Sequence, residues 1–133
     1  MKLENILIDQ DGYIKLTDFG LSKEINKFEM ANSFCGTQDY LSPQIVKGEY
    51  YDKNVDWWAL GIILYELLIG KSPFFSSNIN KMCEKICKND PAFPDRKKYK
   101  VDYSNELMDL ICQLLNKNPK KRLGANNDYI EIL

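Results

Sequence analysis

Apolar residues fill almost every position from Val55 to Ile69, a stretch reading VDWWALGIILYELLI that only Asp56, Gly61 and Glu66 interrupt. Strict alternation is absent and the run is too long for an ordinary buried strand, so the pattern predicts a helix. A helix apolar on nearly every face needs protein or lipid around it. A bilayer span takes about 20 apolar residues, and this run is shorter and carries a carboxylate, so it is expected to be a core helix. Asp52, Asn54 and Asp56 offer oxygens to cap its start, and Gly70 followed by Pro73 marks its stop.

Shorter patterns surround it. Ile6-Leu7-Ile8 and Tyr13 to Thr17 read as two strands joined by the turn residues Asp9-Gln10-Asp11-Gly12. Ile79, Met82, Cys83, Ile86 and Cys87 recur at helical spacing behind Ser76, Ser77 and Asn78, and Asn89-Asp90-Pro91 ends that pattern. Residues 91 to 103 predict an irregular connection. Ser104 then opens a second amphipathic helix carrying Leu107, Leu110, Ile111, Leu114 and Leu115, which Asn118-Pro119 closes. The expected class is mainly α with a short β-hairpin, organised around one buried helix.

Composition removes some functions. A chain of 133 residues with 44% apolar content supports one modest core. The net charge of -1 offers no broad cationic field, so neither nucleic acid nor a membrane surface is an expected partner. Two basic runs, Arg96 to Lys100 and Lys117 to Arg122, are expected to be solvated surface. The 4 cysteines lack metal-ligand spacing and no histidine assists them. With no secretory signal ahead of them, reduced thiols and a cytoplasmic location are expected, and Cys83 and Cys87 read as packing residues.

Chemistry enters at the hairpin. Pairing about its turn matches residues whose numbers sum to roughly 21 to 23, which brings Asn5 and Asp18 together at the open end. An amide oxygen and a carboxylate there suit a hard cation such as Mg²⁺, with phosphates and water completing the shell. On spacing alone, a solvated hairpin end is the favoured explanation. Five motifs in order shift the balance: Lys2-Leu3-Glu4-Asn5 before the first strand, Asp18-Phe19-Gly20 after the second, Gly36 to Gln44 (GTQDYLSPQ), Asp56-Trp57-Trp58-Ala59-Leu60-Gly61, and Arg122-Leu123-Gly124. This ordered series resembles the C-terminal lobe of a eukaryotic serine/threonine protein kinase over essentially the whole chain. Phe34-Cys35-Gly36-Thr37 and Asp56-Trp57-Trp58 are similar to the AGC group, the relatives of cyclic-nucleotide-dependent kinases and protein kinase B.

The resemblance implies a partial kinase domain over residues 1–133, using ATP and Mg²⁺ to phosphorylate protein serine or threonine. Asp18 and Asn5 would hold the metal ions, and Lys2 would neutralise the transferred phosphoryl group. Leu7 would form the floor under adenine and Thr17 would line the same pocket. Lys2 and Thr37 fit the serine/threonine class. Ser33 is the implied regulatory phosphorylation site, with Ser22 the plainer alternative, so an activating kinase is an implied partner. Phe34, Gln38 and Leu41 would contact the residue after the phosphoacceptor. Glu4 and Glu66 would select arginine upstream of it, although Glu66 reads as readily as the wet edge of the central helix. Asp56 would hold the catalytic-loop backbone from below.

The sequence also departs from the family. The catalytic aspartate would lie one residue before Met1, and the glycine-rich loop, the strand lysine and the helix preceding the catalytic loop have no counterpart, so this chain alone is expected to be inactive. Gln38 stands where the family has proline. Gln44 stands where it has the glutamate that pairs with arginine, here Arg122, so that lock is expected to be weaker. A non-catalytic, kinase-like binding or scaffold fragment is the competing reading.

Overall fold

A computed structural model describes residues 1–20, 22, 38–99 and 101–132. It places a two-stranded antiparallel hairpin, β1 (Ile6–Ile8) and β2 (Ile14–Leu16), ahead of five helices. These are α1 (Pro43–Val46), α2 (Asn54–Ile69), α3 (Ile79–Lys88), α4 (Arg96–Tyr99) and α5 (Asn105–Leu114). No helix among the described residues is long and apolar enough to cross a membrane.

The central helix begins one residue earlier than its apolar run. Its first turn is helped by Asp52, whose Oδ1 accepts the Asn54 N–H at 2.9 Å. Gly70 ends it in the left-handed region at φ 84°, a conformation that costs glycine little, and donates to Glu66 O at 2.7 Å. Trp58, Ile62 and Tyr65 on α2 meet Phe74, Met82 and Ile86 around α3, and Ile111 and Leu115 around α5, to form the core. The Trp58 and Phe74 rings stack with centroids 5.6 Å apart. Each such buried side chain contributes about 1.5–3 kcal/mol of transfer free energy. The helix is not covered on every side, for Leu67 stays exposed.

Both amphipathic helices form and start at predicted caps, but α5 ends at Leu114, short of the expected stop at Asn118-Pro119. Asn78 Oδ1 accepts from Lys81 N–H at 3.1 Å, and Ser104 Oγ accepts from Leu107 N–H at 3.1 Å. Cys83 and Cys87 are free and half-buried on α3, and Cys112 is free and exposed. Two expectations need correction. The connection over residues 91 to 103 is not wholly irregular, because Asp95 Oδ1 accepts from Lys98 N–H at 2.7 Å and caps the one-turn helix α4. The basic run Lys117 to Arg122 is not all surface. Lys120 and Lys121 are exposed, but Arg122 is buried and the Lys117 ammonium has no solvent contact. Both cations lie over Trp58, at 5.2 Å for Arg122 and 4.7 Å for Lys117, and aromatic faces attract cations in this range.

Close helix packing depends on Gly61. A Cβ there would lie 2.9 Å from Leu115 Cδ2 and 3.0 Å from Leu114 Cβ. Gly61→Ala is therefore expected to separate α2 from α5 and lower stability by about 1–3 kcal/mol, read as a shifted denaturant midpoint. Lys117 gives a pH signature. Its ammonium has no hydrogen-bond partner among the described residues, and burial pushes its pKa down to about 8. The folded chain then binds fewer protons than the unfolded chain between pH 8 and the ordinary lysine value, so this group's contribution to stability rises with pH across that window. Lys117→Met is expected to flatten that rise relative to the parent chain and to raise the melting temperature at about pH 7.

Candidate active site

The hairpin sets the first half of the site. Ile6 pairs with Leu16, Leu7 with Lys15 and Ile8 with Ile14, which lies within the expected register. The strand over residues 13 to 17 is shorter than expected, because Tyr13 belongs to the turn: its N–H and that of Asp11 both donate to Asp9 Oδ1, at 2.9 and 3.0 Å. Those N–H groups, the Tyr13 one foremost, and the Lys15 ammonium at 3.0 Å hold the Asp9 carboxyl below the usual carboxylate range.

Beyond the strand ends the pairing continues through Thr17, whose N–H and Oγ1 both donate to Asn5 O, at 2.9 and 3.2 Å. Asn5 Nδ2 then donates to Asp18 Oδ2 at 3.3 Å. Asp18 sits at φ 59°, in the left-handed region that non-glycine residues seldom occupy and that aspartate tolerates better than most. Its Oδ1 accepts from Gly20 N–H at 3.4 Å. The structure thus brings Asn5, Thr17 and Asp18 together at the open end of the hairpin. The Asp18 carboxylate and Thr17 hydroxyl oxygens are hard donors, and turning the Asn5 amide over would bring its oxygen beside Asp18, a set that a hard cation with water and phosphate oxygens fits. Among the described residues no group of three or more histidine, cysteine, aspartate or glutamate side chains forms a separate metal cage.

Lys2, with extended backbone, leads into the 3-10 turn Leu3–Asn5 and is half-buried. Leu7 faces outward on β1 and is 52% exposed. Ile8, Ile14, Leu16 and Phe19 are exposed beside it, so the hairpin carries an open apolar surface.

The second half lies around a 3-10 turn, Gln38–Tyr40. Gln38 is exposed, whereas Leu41 is 5% exposed and stands as a wall rather than an open contact. Glu66 reaches this turn from α2, where its Oε2 accepts from the Tyr40 hydroxyl at 2.6 Å. The same hydroxyl accepts from Leu3 N–H at 3.4 Å. Burial, then the Glu66 hydrogen bond, raise the Tyr40 pKa, and the exposed Glu4 acts in the same direction. Glu66 is thus bound to the Tyr40 hydroxyl and half-buried rather than a freely wetted edge. Tyr40 is a site residue that sequence patterning does not single out. Its only signal is a hydroxyl-bearing aromatic one turn ahead of Pro43.

Behind this turn, Ser42 caps α1 and both are locked from below. Gln44 Oε1 accepts from Arg122 Nη2 at 2.9 Å, and Gln44 Nε2 donates to Lys117 O at 2.9 Å. The expected Gln44–Arg122 hydrogen bond is present, and the amide adds a donor contact that a carboxylate lacks. Asp56 is solvent-exposed in the first turn of α2, and its carboxylate makes no hydrogen bond to residues 2–5. Ser22 is exposed. Ser33, Phe34 and Thr37 lie outside the described residues.

A family model described as protein kinase domain matches residues 1–129. The chain belongs to the protein kinase domain family. Curated relatives include the serine/threonine-protein kinase akt-2 of Caenorhabditis elegans, 44% identical over 129 residues that cover 96% of this chain and 23% of that protein. The serine/threonine-protein kinase AtPK2/AtPK19 of Arabidopsis thaliana is 47% identical over 125 residues, 94% of this chain and 25% of the relative. Protein kinase C of Drosophila melanogaster is 41% identical over 133 residues, 99% of this chain and 17% of the relative. The chain thus spans a quarter or less of these relatives. Its relatives and motifs are AGC-like, and its mainly helical fold with one hairpin is that of a partial kinase domain.

Tyr40 offers a direct check on how this kinase-family site is held. Tyr40→Phe would leave Leu3 N–H without its acceptor and the half-buried Glu66 without its donor. A loss of about 1–3 kcal/mol is expected, accompanied by faster hydrogen exchange at the Leu3 amide.

Proposed function

We propose that this chain supplies the metal-binding floor and the substrate-docking side of a serine/threonine protein kinase. The observation that carries the reading is the convergence of Asn5 and Asp18 at the hairpin's open end, with Asp18 held at positive φ. Asn5 and Asp18 would hold Mg²⁺, which when bound offsets the phosphate charge of ATP. Thr17 ties Asn5 to the second strand and keeps the two oxygen-bearing side chains in register. Leu7 offers the apolar surface on which the adenine ring would rest, and Lys2 lies next to the metal-holding pair with a charge suited to the phosphoryl oxygens.

In the full reaction a serine or threonine hydroxyl oxygen bonds to the γ-phosphorus, the bond to the ADP oxygen breaks, and a base accepts the hydroxyl proton. The aspartate that serves as base in the family has no counterpart in these 133 residues. Phosphoryl transfer by this polypeptide alone is therefore not expected. The carboxylates of Glu4 and Glu66 would suit a substrate with basic residues ahead of the phosphoacceptor, with Gln38 and Phe34 beside the residue after it. Phosphorylation at Ser33 by a second kinase is the regulation that fits this reading.

The test uses Mn²⁺ in place of Mg²⁺. With ATP present, Mn²⁺ is expected to broaden the amide signals of Asn5 and Asp18 before others, and Asp18→Ala is expected to abolish this. Broadening spread evenly over surface carboxylates overturns the assignment. In the same samples a basic serine peptide should gain no label from ATP; labelling that Asp18→Ala abolishes would overturn the expected inactivity.

A further inference from the structure

Arg122 is 1% exposed, yet among the described residues every acceptor it contacts is neutral. Nε donates to Asn116 O at 3.1 Å, Nη1 to Asn54 O at 2.7 Å and Nη2 to Gln44 Oε1 at 2.9 Å. A buried guanidinium without a carboxylate is expensive, and the neighbouring Lys117 ammonium repels it further. The Trp58 face offsets only part of this cost. Asp90 is the acid that acts on Lys117, Glu49 pairs with Lys47 at 3.7 Å and Asp128 pairs with Lys53.

Asp52 remains. Its Oδ1 accepts from Asn54 N–H at 2.9 Å and its Oδ2 from Asn54 Nδ2 at 3.1 Å, while Asn54 O accepts from Arg122. Asp52, Asn54, Gln44 and Arg122 also line one small cavity. Asn54 is thus held by the Asp52 carboxylate through its N–H and its side-chain amide and offers its carbonyl to the guanidinium, so one residue links the negative charge to Arg122.

We infer that Asp52 is the counter-charge of Arg122, acting through Asn54, and is thereby a positioning residue for Ser42–Val46, the segment Arg122 grips through Gln44. The electrostatics agree. Burial lowers the Arg122 pKa to about 10, and Asp52 is the group that opposes that fall.

Asp52→Asn removes the charge with almost no change of shape. Asn54 Oδ1 is buried without a partner among the described residues, so turning the Asn54 amide over preserves both side-chain hydrogen bonds. The test is a double-mutant cycle on the intact protein, melted while following tryptophan fluorescence. Asp52→Asn alone is expected to lower the melting temperature by about 3–6 °C. In a Gln44→Glu background, where a carboxylate reaches Arg122 directly, the same change should cost less than half as much. The loss of the Gln44 contact to Lys117 O is common to both members of that background and cancels. A silent Asp52→Asn overturns the inference. An equal loss in both backgrounds also overturns it, since Asp52 would then merely help start α2. If Asp52→Asn does not fold, folding of the double variant supports the inference and failure of the double variant overturns it.

Discussion

One guanidinium joins three parts of this chain that are far apart in sequence. Arg122 binds the first residue of α2, the side chain of α1 and the backbone after α5 with one hydrogen bond each, from a position almost without solvent. Remove it and those segments keep their apolar contacts but lose the polar geometry that fixes their angles. Because each acceptor is uncharged, the junction depends on direction and distance more than on ion pairing. A lysine in its place, carrying a point charge and no fixed fork, would not satisfy three acceptors in three directions.

The core shares that junction. Trp58 stacks on Phe74 and takes Arg122 and Lys117 against its rings, so the aromatic centre of the fold and its buried charges are one assembly. The C-terminal turn closes over the neighbouring Trp57. Gly124, at φ 90°, leaves no room for a Cβ beside the indole, and Asp128 Oδ1 accepts from Trp57 Nε1 at 3.2 Å. The Glu131 carboxylate braces that turn by accepting from the N–H groups of Gly124, Asn126 and Asn127.

Much of this fold is legible in the sequence where the signal is local. The starts of α3 and α5 follow from a cap and a stripe a few residues long, and hairpin register follows from a turn, which is why Asn5 and Asp18 meet. Helix α4 escapes sequence patterning because a single turn held by one aspartate leaves no periodicity to detect. The inward ends of the run from Lys117 to Arg122 escape it because a cluster of cations reads as surface until a tryptophan face, distant in sequence, is placed beneath it. Tyr40 and Glu66 meet from elements that only the tertiary fold brings together. The roles proposed for Lys2 and Leu7 rest on family resemblance, for nothing in their local pattern separates them from ordinary surface.

The hairpin that positions Asn5 and Asp18 has solvent on both faces of its second strand and rests on three residue pairs. A two-stranded ribbon of this kind is marginal in water. Any ligand that needs the two side chains together binds only the molecules in which the ribbon is zipped, so its apparent affinity is the intrinsic one scaled by that fraction. Contacts that clamp the ribbon from its open apolar side would thus tighten the binding of such a ligand without touching it. Affinity at this site is in part a property of whatever lies against Leu7, Ile14 and Leu16.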